Sequence, residues 1–146
     1  MILKFPYKKF LLPERSSLFG HSYLRPILPI ELGWKSKRLR YEALVDSGAD
    51  FCIFDAEIGD YLGIDVRSGE SFQFGGIQAG RQPATTYLHT VILAIGGQQQ
   101  TVPVTFSYDI ADTGIGVLGQ RGFFDQFVVT FKLDKEVVEL KTPRGK

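Results

Sequence analysis

The sequence predicts an all-β domain of many short strands, with one or two short helices. Three observations carry this expectation. Most apolar segments alternate with polar residues at a period of two. Glycine- and proline-containing turns separate them. Only one stretch, just after Asp55, combines helical spacing with start and stop signals.

Residues 1–26 carry Pro6, Pro13 and Pro26 and keep no sustained period, so they are expected to form an extended N-terminal arm that packs on the domain or on a partner. Residues 27–32 place Leu28, Ile30 and Leu32 on one side; Pro29 restricts this strand to an edge or to a site where its missing donor does no harm. The GWKSK segment reads as a turn. Residues 38–45 set Leu39, Tyr41, Ala43 and Val45 against Arg38, Arg40 and Glu42, the pattern of a half-buried strand. Residues 51–54 (FCIF) form a short apolar run of strand length. Asp55 then caps a short helix whose Ile58, Tyr61 and Leu62 share a face, with Gly63 as the stop.

Residues 71–74 and 85–96 read as two strands joined by a glycine-rich tip. After a GGQQQ turn, residues 101–106 point Val102, Val104 and Phe106 inward. Residues 116–119 (GVLG) make a brief strand, and QRGFFDQ is expected to make one helical turn. Residues 127–133 and 136–141 flank a two-residue turn at Asp134-Lys135, with Phe127, Val129, Phe131 and Leu133 on one side. No fixed-period repeat of solenoid type is present.

Length and composition narrow the function classes. The 146 residues suit one domain able to bury its own core; 44% are hydrophobic and 23% charged, so the chain is not of the disordered class. A net charge of +1 argues against a non-specific nucleic-acid or membrane-surface binder, which needs a strong basic field. Lys35, Lys37, Arg38 and Arg40 cluster, and are read as a turn and the wet face of a strand. The single cysteine, Cys52, lies among Phe51, Ile53 and Phe54 and is read as a buried structural thiol. With two distant histidines, His21 and His89, and no metal-ligand spacing, neither a Cys-His site nor a metal or other cofactor is expected. The first residues lack the continuous apolar stretch of a signal peptide, and no run approaches the ~18 apolar residues of a membrane span. The expectation is a cytoplasmic protein.

The informative string is EALVDSGADFCIF, residues 42–54. Its Asp46-Ser47-Gly48-Ala49 follows one apolar strand and precedes another, and it resembles the active-site signature of aspartic proteases. Asp112-Thr113-Gly114 matches the tripeptide too, but it sits in a polar loop and is read as turn chemistry. The two motifs lie too close for each to have its own lobe in one chain. Downstream, Val117-Leu118-Gly119 resembles the short apolar-apolar-Gly strand that the family places after its catalytic loop. Between them lies the hairpin with its glycine-rich tip, where the family carries its flap. Three features in this order resemble the single-lobed, retropepsin-like branch of the family, over roughly residues 27–141, with the domain taken as 27–146.

The resemblance implies a closed or partly open barrel of the acid-protease type and a homodimer. Each chain supplies one catalytic aspartate, Asp46, and an extended peptide or protein is the substrate. Like charges that close cannot both ionise, so aspartic-protease dyads share a proton, and their two titrations belong to the pair. Ser47, by the resemblance, ties the two catalytic loops together; Gly48 allows close backbone approach, and Ala49 is small enough for a crowded loop. Gly75, Gly76, Ile77, Gln78, Ala79 and Gly80 are the candidate flap, or are simply turn geometry. Val117, Leu118, Gly119 and Arg121 are read as structural residues near the site. Asp50 is a substrate contact or half of an ion pair. Retroviral relatives place Arg directly after the apolar-apolar-Gly strand, whereas Gln120 intervenes here. That departure motivates an alternative: a retropepsin-fold peptide-binding or assembly module with weak or no catalysis.

Overall fold

The computed structural model describes residues 1–75, 83–110 and 114–143. Its strands are β1 (Ile2–Pro6), β2 (Lys8–Ser16), β3 (Gly20–Arg25), β4 (Ile27–Trp34), β5 (Lys37–Val45), β6 (Ile53–Asp55), β7 (Glu70–Phe74), β8 (Ala84–Ile95), β9 (Gln98–Ser107), β10 (Gly116–Leu118), β11 (Val128–Lys132) and β12 (Val137–Lys141). One α-helix, α1 (Ala56–Leu62), and two single 3-10 turns complete the described chain.

The alternating segments pair as their patterns require. Strands run in the order β4-β5-β10-β6-β9-β8-β7, and β4 also pairs with β8. That extra pairing, Glu31 to Gly33 against Ile92 to Ala94, closes β4, β5, β10, β6, β9 and β8 into a six-stranded barrel, leaving no free edge in the ring. Pro29 is exposed, two residues before the β4–β8 pairing begins, so its missing donor breaks no bond there. Leu28, Leu32, Ala43, Val102, Val104 and Phe106 fill the interior, with Phe54 and Phe123 beside them, all at 0% exposure. Burying each of the larger side chains contributes about 1.5–3 kcal/mol.

Residues 1–26 are largely strand. β1 pairs with β12, which also pairs with β11, and the resulting three-stranded sheet adds Val138 and Leu140 to the core. β2 and β3 form a separate hairpin.

Several local expectations are corrected. Helix α1 has the expected Asp55 cap, whose carboxylate accepts from Glu57 N at 2.9 Å, and ends at Gly63 in the left-handed region. Its buried face is Ile58, Gly59 and Leu62, however, and Tyr61 is 55% exposed. Gly59 brings the helix so close to Val66 that a Cβ there would lie 2.6 Å from its Cγ2, while the Tyr61 ring lies outside, with Lys37 Nζ 5.3 Å from its centroid. Residues 120–126 are a run of turns that includes one helical bond, Phe127 N donating to Phe123 O at 3.1 Å. Gly122 has φ +102°, and a Cβ at that position would meet Pro103 O at 2.5 Å, so the chain is bent there for close packing. The Asp125 carboxylate accepts the Gly122 amide at 3.1 Å, satisfying a donor at the start of that turn.

The last hairpin turns through four residues, not two. Its register pairs Lys132 with Val137, with a 3-10 turn over Leu133–Lys135 and Glu136 at φ 57°. Glu136 O accepts from Tyr7 N at 2.9 Å, so this conformation extends the contact between β1 and the hairpin. Phe127 is buried, while Phe131 and Leu133 are exposed as the hairpin leaves the core. β6 starts at Ile53 rather than 51; Phe51 instead makes an isolated parallel bridge with Arg121.

Candidate active site

Asp46 follows the last residue of β5. Its position is set by β10, which lies between β5 and β6, parallel to the first and antiparallel to the second. Leu118, paired with Val45, accepts the Asp46 backbone N–H at 3.0 Å, and Val45 N donates to Pro26 O at 2.9 Å. The loop then folds back on itself: Ala49 N donates to Asp46 O at 3.1 Å, and Gly48 N donates to the Asp46 carboxylate Oδ1 at 2.9 Å. A Cβ on Gly48 would sit 3.2 Å from the same oxygen, so a glycine suits this close approach.

The downstream motif locks the far side of the loop. Gln120 N donates to Ala49 O at 2.8 Å and Arg121 N to Asp50 O at 3.0 Å. The Gln120 side chain donates from Nε2 to Ser47 O at 2.7 Å. Gly119 runs against the loop backbone, where a Cβ would fall 2.7 Å from Ala49 O. Beneath it sits Cys52, fully buried, with Gly119 N donating to Sγ at 3.4 Å and Sγ reaching Arg121 O at 3.5 Å. Burial pushes the Cys52 thiol up to about 11; the Gly119 amide opposes this and the Asp125 charge adds to it. A protonated, buried thiol is a packing group, not a nucleophile.

The structure thus brings Asp46, Ser47, Gly48 and Ala49 together with Val117, Leu118, Gly119 and Arg121. Asp46 and Ala49 are partly exposed, while Ser47 and Gly48 are exposed. The Arg121 side chain points to Asp125 at 3.9 Å and is 78% exposed, so its backbone makes the loop contact. Of the candidate flap, Gly75 is described and exposed; Gly76, Ile77, Gln78, Ala79 and Gly80 lie outside the described residues, as do Asp112 and Thr113. β7 and β8 do form the antiparallel hairpin that carries this tip.

Sequence reasoning missed three features of the site. Gln120, noted only as a departure, supplies the side-chain bond to Ser47. Phe51 and Ile53, taken as part of one apolar run, line a cavity of about 210 Å³ with Gly48, Ala49, Asp50, Phe74 and Gly75. Phe72 and Phe74 of β7 face Phe51 edge-on. The signal was available in the alternation of 51–54: Cys52 and Phe54 are buried, Phe51 and Ile53 partly exposed.

A closed six-stranded barrel, with an Asp-Ser-Gly-Ala loop pinned by a short strand between its neighbours, is the retropepsin-like fold. The retropepsin-like aspartic protease from Rickettsia conorii has a similar structure, with a TM-score of 0.53 and 16% identity, covering 96% of this chain and 91% of that one. The EIAV protease complexed with the inhibitor HBY-793 aligns with a TM-score of 0.45 and 18% identity, covering 66% of this chain and 82% of that one. No protein-family model and no curated protein matches the sequence. Among the described residues no helix is long and apolar enough to cross a membrane, and no cluster of three or more His, Cys, Asp or Glu side chains is arranged to hold a metal ion.

Proposed function

We propose that this chain is one subunit of a homodimeric aspartic endopeptidase, with residues 27–146 as the protease domain and 1–26 as its N-terminal arm. The observation that carries the reading is the Asp46 carboxylate, held 2.9 Å from the Gly48 amide on a partly exposed loop that Leu118, Gln120 and Arg121 brace. Each chain supplies half of the acid–base pair. One Asp46 carboxylate takes a proton from water as the water oxygen attacks the scissile carbonyl. The protonated Asp46 of the second copy donates to the carbonyl oxygen, and the leaving amine is protonated as the C–N bond breaks. Ser47, exposed at the loop tip, is the residue that ties one loop to the other, and the hairpin carrying Gly75 closes over an extended peptide.

Digestion of a peptide library with mass-spectrometric readout tests this. The wild-type protein cleaves, a statine-type inhibitor stops it, and Asp46→Asn lowers the rate by at least about 10²–10⁴-fold while the dimer mass in sedimentation is retained. Normal cleavage by Asp46→Asn, or a strict monomer across pH, refutes the mechanism. A library left intact by the wild type favours the alternative of a peptide-binding or assembly module, which Gln120 in place of the retroviral Arg motivates.

A further inference from the structure

Among the described residues, the strands of the β2–β3 hairpin pair only with each other, and none of residues 8–25 is buried. Leu11 and Leu18 are each 79% exposed and Phe19 55%. A lone two-stranded hairpin is marginally stable in water. This one is nevertheless ordered on one face. The Phe10 and Tyr23 rings stack with centroids 5.4 Å apart, Phe19 leans on Tyr23 at 5.8 Å, and the Arg25 guanidinium lies 5.7 Å over Phe10. Aromatic rings beside an arginine, open to solvent, are the composition of an interface centre.

The root of the hairpin is fixed beside the candidate site. Pro26 O accepts from Val45 N at 2.9 Å, at the residue before Asp46, and Lys8 Nζ pairs with the Glu42 carboxylate. From that root the nine residues of β2 reach roughly 30 Å, about the width of a small domain. The charges are divided between the two regions. Residues 8–25 hold Lys8, Lys9, Arg15 and Arg25 against Glu14, a net +3. Residues 42–70, which include the Asp46 loop and α1, hold eight acidic residues against Arg67 alone, a net −7.

We propose that the β2–β3 hairpin is a docking arm for a second copy of this chain, its aromatic and basic face lying on the acidic surface that residues 42–70 of that copy provide. This rests on the protease reading above, which requires a second Asp46. A hairpin rooted at the residue before Asp46 stands where the second copy must approach, so the arm and the pairing of the two aspartates belong to one interface. Two-fold symmetry makes the contact twice. An acidic substrate is the competing occupant, but it would meet the net charge of −7 at the hairpin's root. A second copy presents opposite charge to both surfaces.

Sedimentation equilibrium tests the proposal on the wild type, on a trimmed variant in which Asn-Gly replaces residues 9–24, and on Phe19→Asp, with peptide cleavage measured on the same samples. The trimmed variant keeps Lys8 and Arg25, a directly opposed pair that a two-residue turn can join, and it removes no core residue. Phe19→Asp alters one exposed side chain and carries the test if the trimmed variant does not fold. In each variant the dimer dissociation constant rises by about 30-fold or more, the scale of losing one interface hot spot. The wild-type constant rises with salt. Cleavage falls with the dimer and recovers at high protein concentration. Variants that dimerise as tightly as the wild type and still cleave overturn this proposal alone; a KM raised only for acidic substrates would then assign the hairpin to substrate. A wild type that stays monomeric across pH overturns it together with the protease reading. A wild type that dimerises through the hairpin but cleaves nothing refutes the protease reading and leaves the docking arm standing.

Discussion

Replacing Gly119 by alanine tests whether the Asp46 loop is held by direct backbone contact. Gly119 follows Leu118, the residue that accepts the Asp46 amide, and precedes Gln120, whose amide bonds Ala49 O. A methyl group there would stand 2.7 Å from both Ala49 O and the Phe51 carbonyl carbon, whereas ordinary contact begins near 3.4 Å. The obstructing atoms belong to the backbone of the loop, so no side-chain rotation relieves the clash. The loop must move by a distance on the order of 1 Å. Overpacking of this kind costs about 1–3 kcal/mol, or a melting temperature lower by about 3–10 °C at this chain length. On the proposed mechanism, a displacement of that size at Asp46 is expected to lower turnover by about 10²-fold. The assay is a thermal melt paired with peptide cleavage normalised to folded protein. A Gly119→Ala variant with unchanged melting temperature and unchanged kcat/KM would refute the claim that β10 positions Asp46 through this contact.

Two further outcomes are expected. Gln120→Glu keeps the side-chain shape but turns the donor to Ser47 O into a charged acceptor; because the site is exposed, stability falls by no more than about 1 kcal/mol, while kcat at neutral pH drops severalfold and partly recovers in acid, where the carboxyl regains a proton. A flat ratio of variant to wild-type rates across pH contradicts that role. The buried Cys52 thiol, raised to about 11 from an ordinary value of 9.0, favours the folded state fully below pH 9; that contribution, at most about 3 kcal/mol, is lost as pH rises from about 9 to 11, because the unfolded chain ionises first. Denaturant titrations at pH 8 and 10.5 should therefore show a smaller decline for Cys52→Ala than for the wild type, and equal declines would contradict it.

The legible parts of this protein rest on neighbours in sequence. Alternation along 38–45 and 101–106 marked strands because a pleated strand sends successive side chains to opposite faces. Asp55 and Gly63 marked the ends of α1 because capping involves residues within a turn of each other. The Asp46 loop was legible for the same reason, since Gly48 N and the Asp46 carboxylate are two residues apart. The path over 120–126 was legible only in part: the Phe123–Phe127 helical bond is local, whereas the bend at Gly122 packs against Pro103, a residue distant in sequence.

By itself, then, the sequence determined the all-β class, the strand faces, the capped helix and the aspartate loop, all consequences of local stereochemistry. Only the tertiary structure decided that β4 closes on β8, that Tyr61 turns outward, that Gln120 reaches Ser47 across 73 positions, and that Phe51 walls two cavities. Those outcomes depend on which distant surfaces come into contact once the barrel closes, and a local pattern carries no record of that.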